Sequence, residues 1–116
     1  MIGNKGLTKE DLMICQATTF AFSVQHLDTE DNPIQHDGWS AWMRLRPRAE
    51  GAEDIILDDC ITEGEDGKFE IELSSDLTKN IPVGKYLWDI IAEDPNGKAV
   101  RLAYGSAELV DTYSRD

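Results

Sequence analysis

The stretch Asp66-Gly67-Lys68-Phe69-Glu70-Ile71-Glu72-Leu73-Ser74 decides the fold class. Phe69, Ile71 and Leu73 alternate with Glu70 and Glu72, so an extended chain puts the apolar side chains on one face and both acids on the other. A strand with one dry face follows. The same period of two recurs outward in both directions. Phe20, Phe22 and Val24 alternate with Ala21, Ser23 and Gln25, and Trp39, Ala41, Met43 and Leu45 with Ser40, Trp42, Arg44 and Arg46. Leu12 with Ile14 and Ile55 with Leu57 give shorter versions. Tyr86, Trp88 and Ile90 alternate with Leu87, Asp89 and Ile91, and Val100, Leu102 and Tyr104 with Arg101 and Ala103.

Between the runs lie Asp31-Asn32-Pro33, Asp66-Gly67 and Asp94-Pro95-Asn96-Gly97, which supply a preset φ, tolerance of positive φ and acceptors for the local backbone. The last predicts a tight hairpin. Seven strands are expected, near 9–15, 18–26, 39–46, 54–61, 67–73, 84–93 and 98–110, at the turn spacing of an antiparallel all-β sandwich. Ser74 to Ile81, with a serine cap at one end and Pro82 and Gly84 at the other, predicts one helical turn near residues 75–80. Residues 1–116 are expected to form a single domain with loose ends at 1–8 and 112–116.

The 116 residues carry 23 Asp and Glu against 11 Lys and Arg, a net charge of -12. Such a chain is repelled by phosphate backbones and anionic lipid surfaces, which predicts no nucleic-acid or membrane partner. Hydrophobic residues still make up 41%, enough for a core. Residues 1–7 lack the apolar run of a secretory leader, so synthesis in a cytoplasm is expected. Cys15 and Cys60 sit apart with no CxxC, so two reduced thiols in or near the core are expected; the sequence alone does not decide against a disulfide.

No nucleophile elbow, zinc-protease motif or phosphate loop is present, and Gly105-Ser106-Ala107 lacks the flanks of a catalytic serine. No enzymatic activity and no cofactor are expected. His26 and His36 flank an acidic turn with Asp28, Glu30, Asp31 and Asp37, whose spacing matches no calcium loop, so no metal site is assigned. Trp39 and Trp88 fall on apolar faces and belong to the core. Trp42 falls in phase with Ser40, Arg44 and Arg46, so it lies either at a contact surface or under a neighbouring segment. Arg44, Arg46 and Arg48 form the one basic stretch of an acidic body, suited to an acidic partner or to head-to-tail contact between copies. Trp42, Arg44, Arg46 and Arg48 are therefore the candidate protein interface.

The run Thr19 to Val24, the turn Asp31-Asn32-Pro33-Ile34, the strand Gly38 to Arg46 and above all Pro82-Val83-Gly84-Lys85-Tyr86-Leu87-Trp88-Asp89 resemble small immunoglobulin-like modules of phage virions, including the N-terminal domain of upper baseplate proteins. The resemblance spans residues 9 to 111. It implies an immunoglobulin-like sandwich and a structural role in a tailed phage particle, as a tail, baseplate, head–tail or capsid-surface subunit. Other virion proteins and further copies of the chain would be its partners, and it would be made in the host cytoplasm. It implies no catalytic residues. The competing expectation is an exported recognition module that binds glycan or protein through the Asp28–Asp37 loop.

Overall fold

The computed structural model describes residues 8–112. Among these residues nine strands form two sheets: β1 (Thr8–Lys9), β2 (Leu12–Cys15), β3 (Phe20–Gln25), β4 (Ser40–Pro47), β5 (Ile55–Ile56), β6 (Ile61–Glu63), β7 (Lys68–Leu73), β8 (Gly84–Glu93) and β9 (Ala99–Val110). The large sheet runs β1-β9-β8-β4-β5, with β2 also on β9; the small sheet runs β3-β7-β6. Ile14, Met43, Leu45, Phe69, Ile71, Leu73, Trp88, Ile90 and Leu109 fill the space between them, each at most 3% exposed. This is an immunoglobulin-like β-sandwich, as the sequence pattern predicts.

Two features mark the fold at the level of single residues. Tyr86, at the start of β8, donates its hydroxyl to the Pro82 carbonyl at 2.6 Å, the corner that holds this strand in immunoglobulin-type sandwiches. Two residues on, Trp88 meets Phe22 of β3 edge-to-face, with ring centroids 5.5 Å apart, bridging the sheets where antibody domains place a disulfide. Tyr86→Phe removes only the hydroxyl and leaves the Pro82 carbonyl short of a donor. It is expected to cost about 1 kcal/mol, read as a lower urea midpoint with an unchanged slope.

The departures from seven antiparallel strands have local causes. The expected strand 9–15 is broken at Glu10–Asp11 and runs parallel to β9, with Thr8 opposite Ala103 and Leu12 opposite Ala107. At the break the Asp11 carboxylate accepts from the Ser106 amide and hydroxyl, taking the place of a ladder partner. The expected strand 54–61 changes sheets. Asp58 accepts the Met43 amide on its side chain at 3.1 Å, which ends pairing with β4; a 3-10 turn at Asp58–Cys60 then delivers β6 to the small sheet. Leu57, 1% exposed, fills the gap at the crossing.

β9 departs from strict alternation as well. Ile90 faces Ala103 but Ile91 faces Arg101, so Leu102 is an extra residue in a bulge. Leu102 and Ala103 are both buried, and the phase beyond them is inverted: Tyr104 faces outward on the side of Arg101 rather than inward with Leu102. Thr8 belongs to β1 rather than to a loose end; the other residues of the expected N-terminal tail, and 113–116 at the C-terminus, lie outside the described residues.

The helical turn is present as α1 (Ser75–Lys79), with the Ser74 hydroxyl accepting the Leu77 amide at 3.2 Å. Thr78 is fully buried and donates to the Thr18 carbonyl, pinning the crossover to the loop before β3. The Asp94 hairpin forms as expected: its carboxylate accepts the Asn96 and Lys98 amides, and Gly97 takes φ +90.

Candidate functional site

β4 and β8 pair antiparallel over eight residues, which sets their outward side chains in rows across the large sheet. Trp42 stands across from Ile91, Arg44 across from Asp89, and Arg46 across from Leu87. β9 extends these rows, placing Arg101 next to Ile91 and Tyr104 next to Asp89. β5 completes them with Ile56 opposite Arg44. Two shallow grooves run between these side chains. One, of about 340 Å³, is lined by Trp42, Arg44, Arg46, Asp89 and Ile91; the other, of about 190 Å³, lies between Arg44, Arg46, Asp54, Leu87, Trp88, Asp89 and Arg101.

The structure therefore brings together three of the four residues singled out from sequence. Arg48 is the exception. Its amide donates to the Lys85 carbonyl past the end of β4, and its side chain lines a separate cleft of about 480 Å³ with Pro47, Ile55, Pro82, Val83 and Tyr86. Trp42 is half-buried between its neighbours rather than roofed by another segment.

Four further members of the face escape a reading of β4 alone. Leu87 and Ile91 are apolar residues in the outward phase of β8, a visible anomaly in a strand with one solvent face. Arg101 and Tyr104 are three apart and share a face only because of the Leu102 bulge. The guanidinium of Arg101 lies 4.5 Å from the Tyr104 ring centroid and pairs with Asp89 at 3.3 Å. Arg46 pairs with Asp54 at 3.4 Å. Exposed pairs of this kind contribute at most about 1 kcal/mol. Three guanidinium groups face two carboxylates here, so this patch is locally positive on a chain of charge -12.

His26 and His36 turn inward from the exposed acidic turn they flank. Both are 2% exposed, with Nδ1 of His26 3.0 Å from Nε2 of His36 and the rings nearly parallel. Trp39 packs edge-on to both, and Phe69 lies 4.4 Å from the His36 ring. Burial holds both imidazoles below their ordinary range; His36, also disfavoured by charge on His26, falls to about 4. The Nδ1 of His36 is buried without a hydrogen-bond partner among the described residues. The loop between them is built on its own backbone, with the Asp28 carboxylate accepting the Glu30 and Asn32 amides. Among the described residues no three His, Cys, Asp or Glu side chains converge on a common point.

Trp39 is half-buried against the core rather than fully inside it. Cys15 is exposed on β2, contrary to the expected core position, because Ile14 takes the inward phase there; Cys60 is half-buried. The two thiols are unbonded. Burial, with Asp59 beside it, raises the Cys60 thiol above its usual range, so it is a poor nucleophile. Ser106 is tied to Asp11, whose carboxyl is held below the usual carboxylate range by the Ser106 hydroxyl and amide.

No family model matches this chain, and no curated protein does. Among solved structures it is similar to murine CRIg, at 10% identity and a TM-score of 0.45 over 90% of this chain and 93% of that one. It is also similar to titin domain M7, at 13% identity and a TM-score of 0.46 over 94% of this chain and 90% of that one.

Proposed function

We propose that this protein is a non-enzymatic interaction module that works by burying the outer face of its large sheet against other protein subunits. The observation that carries the reading is the gathering of Trp42, Leu87 and Ile91 with Arg44, Arg46 and Arg101 on one face. Aromatic residues and arginine are the side chains enriched at the energetic centre of interfaces, and a rim of weak ion pairs suits a surface that exchanges them on binding.

The narrower reading is a structural subunit of a tailed phage particle, in its tail, baseplate, head–tail joint or capsid surface. Its support is the order of sequence elements that resembles the upper-baseplate module, above all Pro82-Val83-Gly84 followed by Tyr86-Leu87-Trp88-Asp89. On a repeated lattice, small contacts add through effective concentration, so a single domain can be held by one modest face. The acidic remainder slows the approach of free copies and keeps the dilute protein in solution.

The test is incorporation. In lysates of the natural host, the wild-type protein should sediment with particles, and Trp42→Ser should fold normally but stay in the soluble fraction. A variant that enters particles as well as wild type removes this face from the account. A wild-type protein that never sediments with particles removes the virion reading.

A further inference from the structure

We propose that the surface received by the Trp42–Arg44–Arg46 face is the outer face of the small sheet of a second copy, so that copies associate head to tail. This deepens the reading above and rests on it. The small sheet turns Glu70 and Glu72 of β7 outward, and their register partners on β3 are Ser23 and Ala21. Because those partners are small, the two carboxylates stand over a hollow of about 480 Å³. Neither glutamate forms an ion pair among the described residues.

The opposite side of the molecule carries the complement. Arg44 lies across from Asp89, but the Asp89 carboxylate goes to Arg101, and Arg44 forms no ion pair among the described residues. Arg46 holds Asp54 only loosely, with its side chain 71% exposed. Arg44 and Arg46 are two apart on a strand, as are Glu70 and Glu72, so each pair is spaced about 7 Å along its sheet. One copy therefore presents two cations at the spacing at which the next presents two anions. Trp42, two residues before Arg44, lies about 7 Å beyond the paired charges and would rest on the part of the hollow formed by the small residues Ala21, Ser23 and Thr62. Since the two surfaces differ, the contact is heterologous and propagates into a ring or a filament. The net charge of -12 opposes approach from afar, but at physiological ionic strength charges beyond about 8 Å are screened while those in contact are not.

Sedimentation velocity with a charge exchange tests this. Wild type at concentrations up to about 0.5 mM, the weak end of specific association, should show species larger than a monomer. R44E/R46E should run as a monomer, and so should E70R/E72R, each with the circular dichroism of wild type. Mixed in equal amounts they should associate again, because each variant's altered surface now matches the other's. Monomeric wild type, or an R44E/R46E protein that associates like wild type, or a mixture that stays monomeric overturns the proposal. Monomeric wild type together with loss of Trp42→Ser from particles overturns self-association alone and leaves the interface reading standing.

Discussion

Replacing Gly105 with alanine is expected to destabilise the fold more than any other single methyl group. Gly105 lies on β9 opposite Trp88, where the chain between β1 and β2 presses against it. A Cβ there would fall far inside van der Waals contact with the Glu10 carbonyl oxygen, an atom of the backbone that no side-chain rotation moves aside. That same oxygen accepts the indole N–H of Trp88 at 3.0 Å. The substitution must therefore shift β1, β2 or the Trp88 ring, combining overpacking with a lost, partly buried hydrogen bond. A loss of about 3 kcal/mol follows, read as a lower urea midpoint. Gly51→Ala is the control: its φ of +84 is unfavourable for alanine, but nothing lies near its Cβ, so it should cost about 1 kcal/mol. Equal midpoints for the two variants would contradict the close approach at Glu10.

The second large effect is acid sensitivity centred on His36. Its folded value, about 4, lies below the ordinary 6.5, because the ring is buried and a charge on it would meet the charge of His26. The unfolded chain binds more protons than the folded one between these values. The stability contributed by the neutral pair is thus complete above about 6.5 and falls away as pH drops toward 4. The full loss is on the order of 3 kcal/mol for His36, and His26, shifted in the same direction, adds to it. Protonation of surface carboxylates relieves self-repulsion over part of the same range, so the useful quantity is a difference. Urea stability measured at pH 7 and pH 4.5 should fall further for wild type than for His36→Phe, with Trp39 fluorescence reporting on the pair. Equal pH dependence in the two proteins would place the proton elsewhere. Asp11, held low by Ser106, acts in a separate window: its contribution is present above 3.8 and is lost only as pH falls through its lowered folded value.

The periodic strands were legible because their cause is local. Lys68–Leu73 alternates without interruption and Gly84–Glu93 keeps its inward phase throughout, and the structure places both where the pattern does. What the pattern missed depends on a single residue that changes the phase or the partner. Asp58 takes the Met43 amide and sends the chain to the other sheet. Leu102 adds one residue and turns Tyr104 outward, which is what completes the arginine and aromatic face. A periodicity count cannot see either, because each is set by a partner far along the chain.

The histidine pair was half legible. His26 continues the even-numbered inward phase of Phe20, Phe22 and Val24, so its burial follows from the strand it ends. His36 reaches it only because Asp28 folds the intervening turn back on itself and Ile34 donates to the His26 carbonyl. Of the proposed interface, β4 declares Trp42, Arg44 and Arg46 by phase alone. Leu87 and Ile91 were also visible as apolar residues on the wrong face of β8, and Arg48 was misplaced because β4 ends at Pro47.

Hydroxyl-radical footprinting of the particle-bound fraction against the free protein tests the proposed interface most directly. The account predicts that oxidation of Trp42, Leu87 and Ile91 drops on assembly while Met13, exposed at the edge of the large sheet, reacts as before. Unchanged oxidation of Trp42, Leu87 and Ile91 with protection at Met13 or Val83 would contradict it.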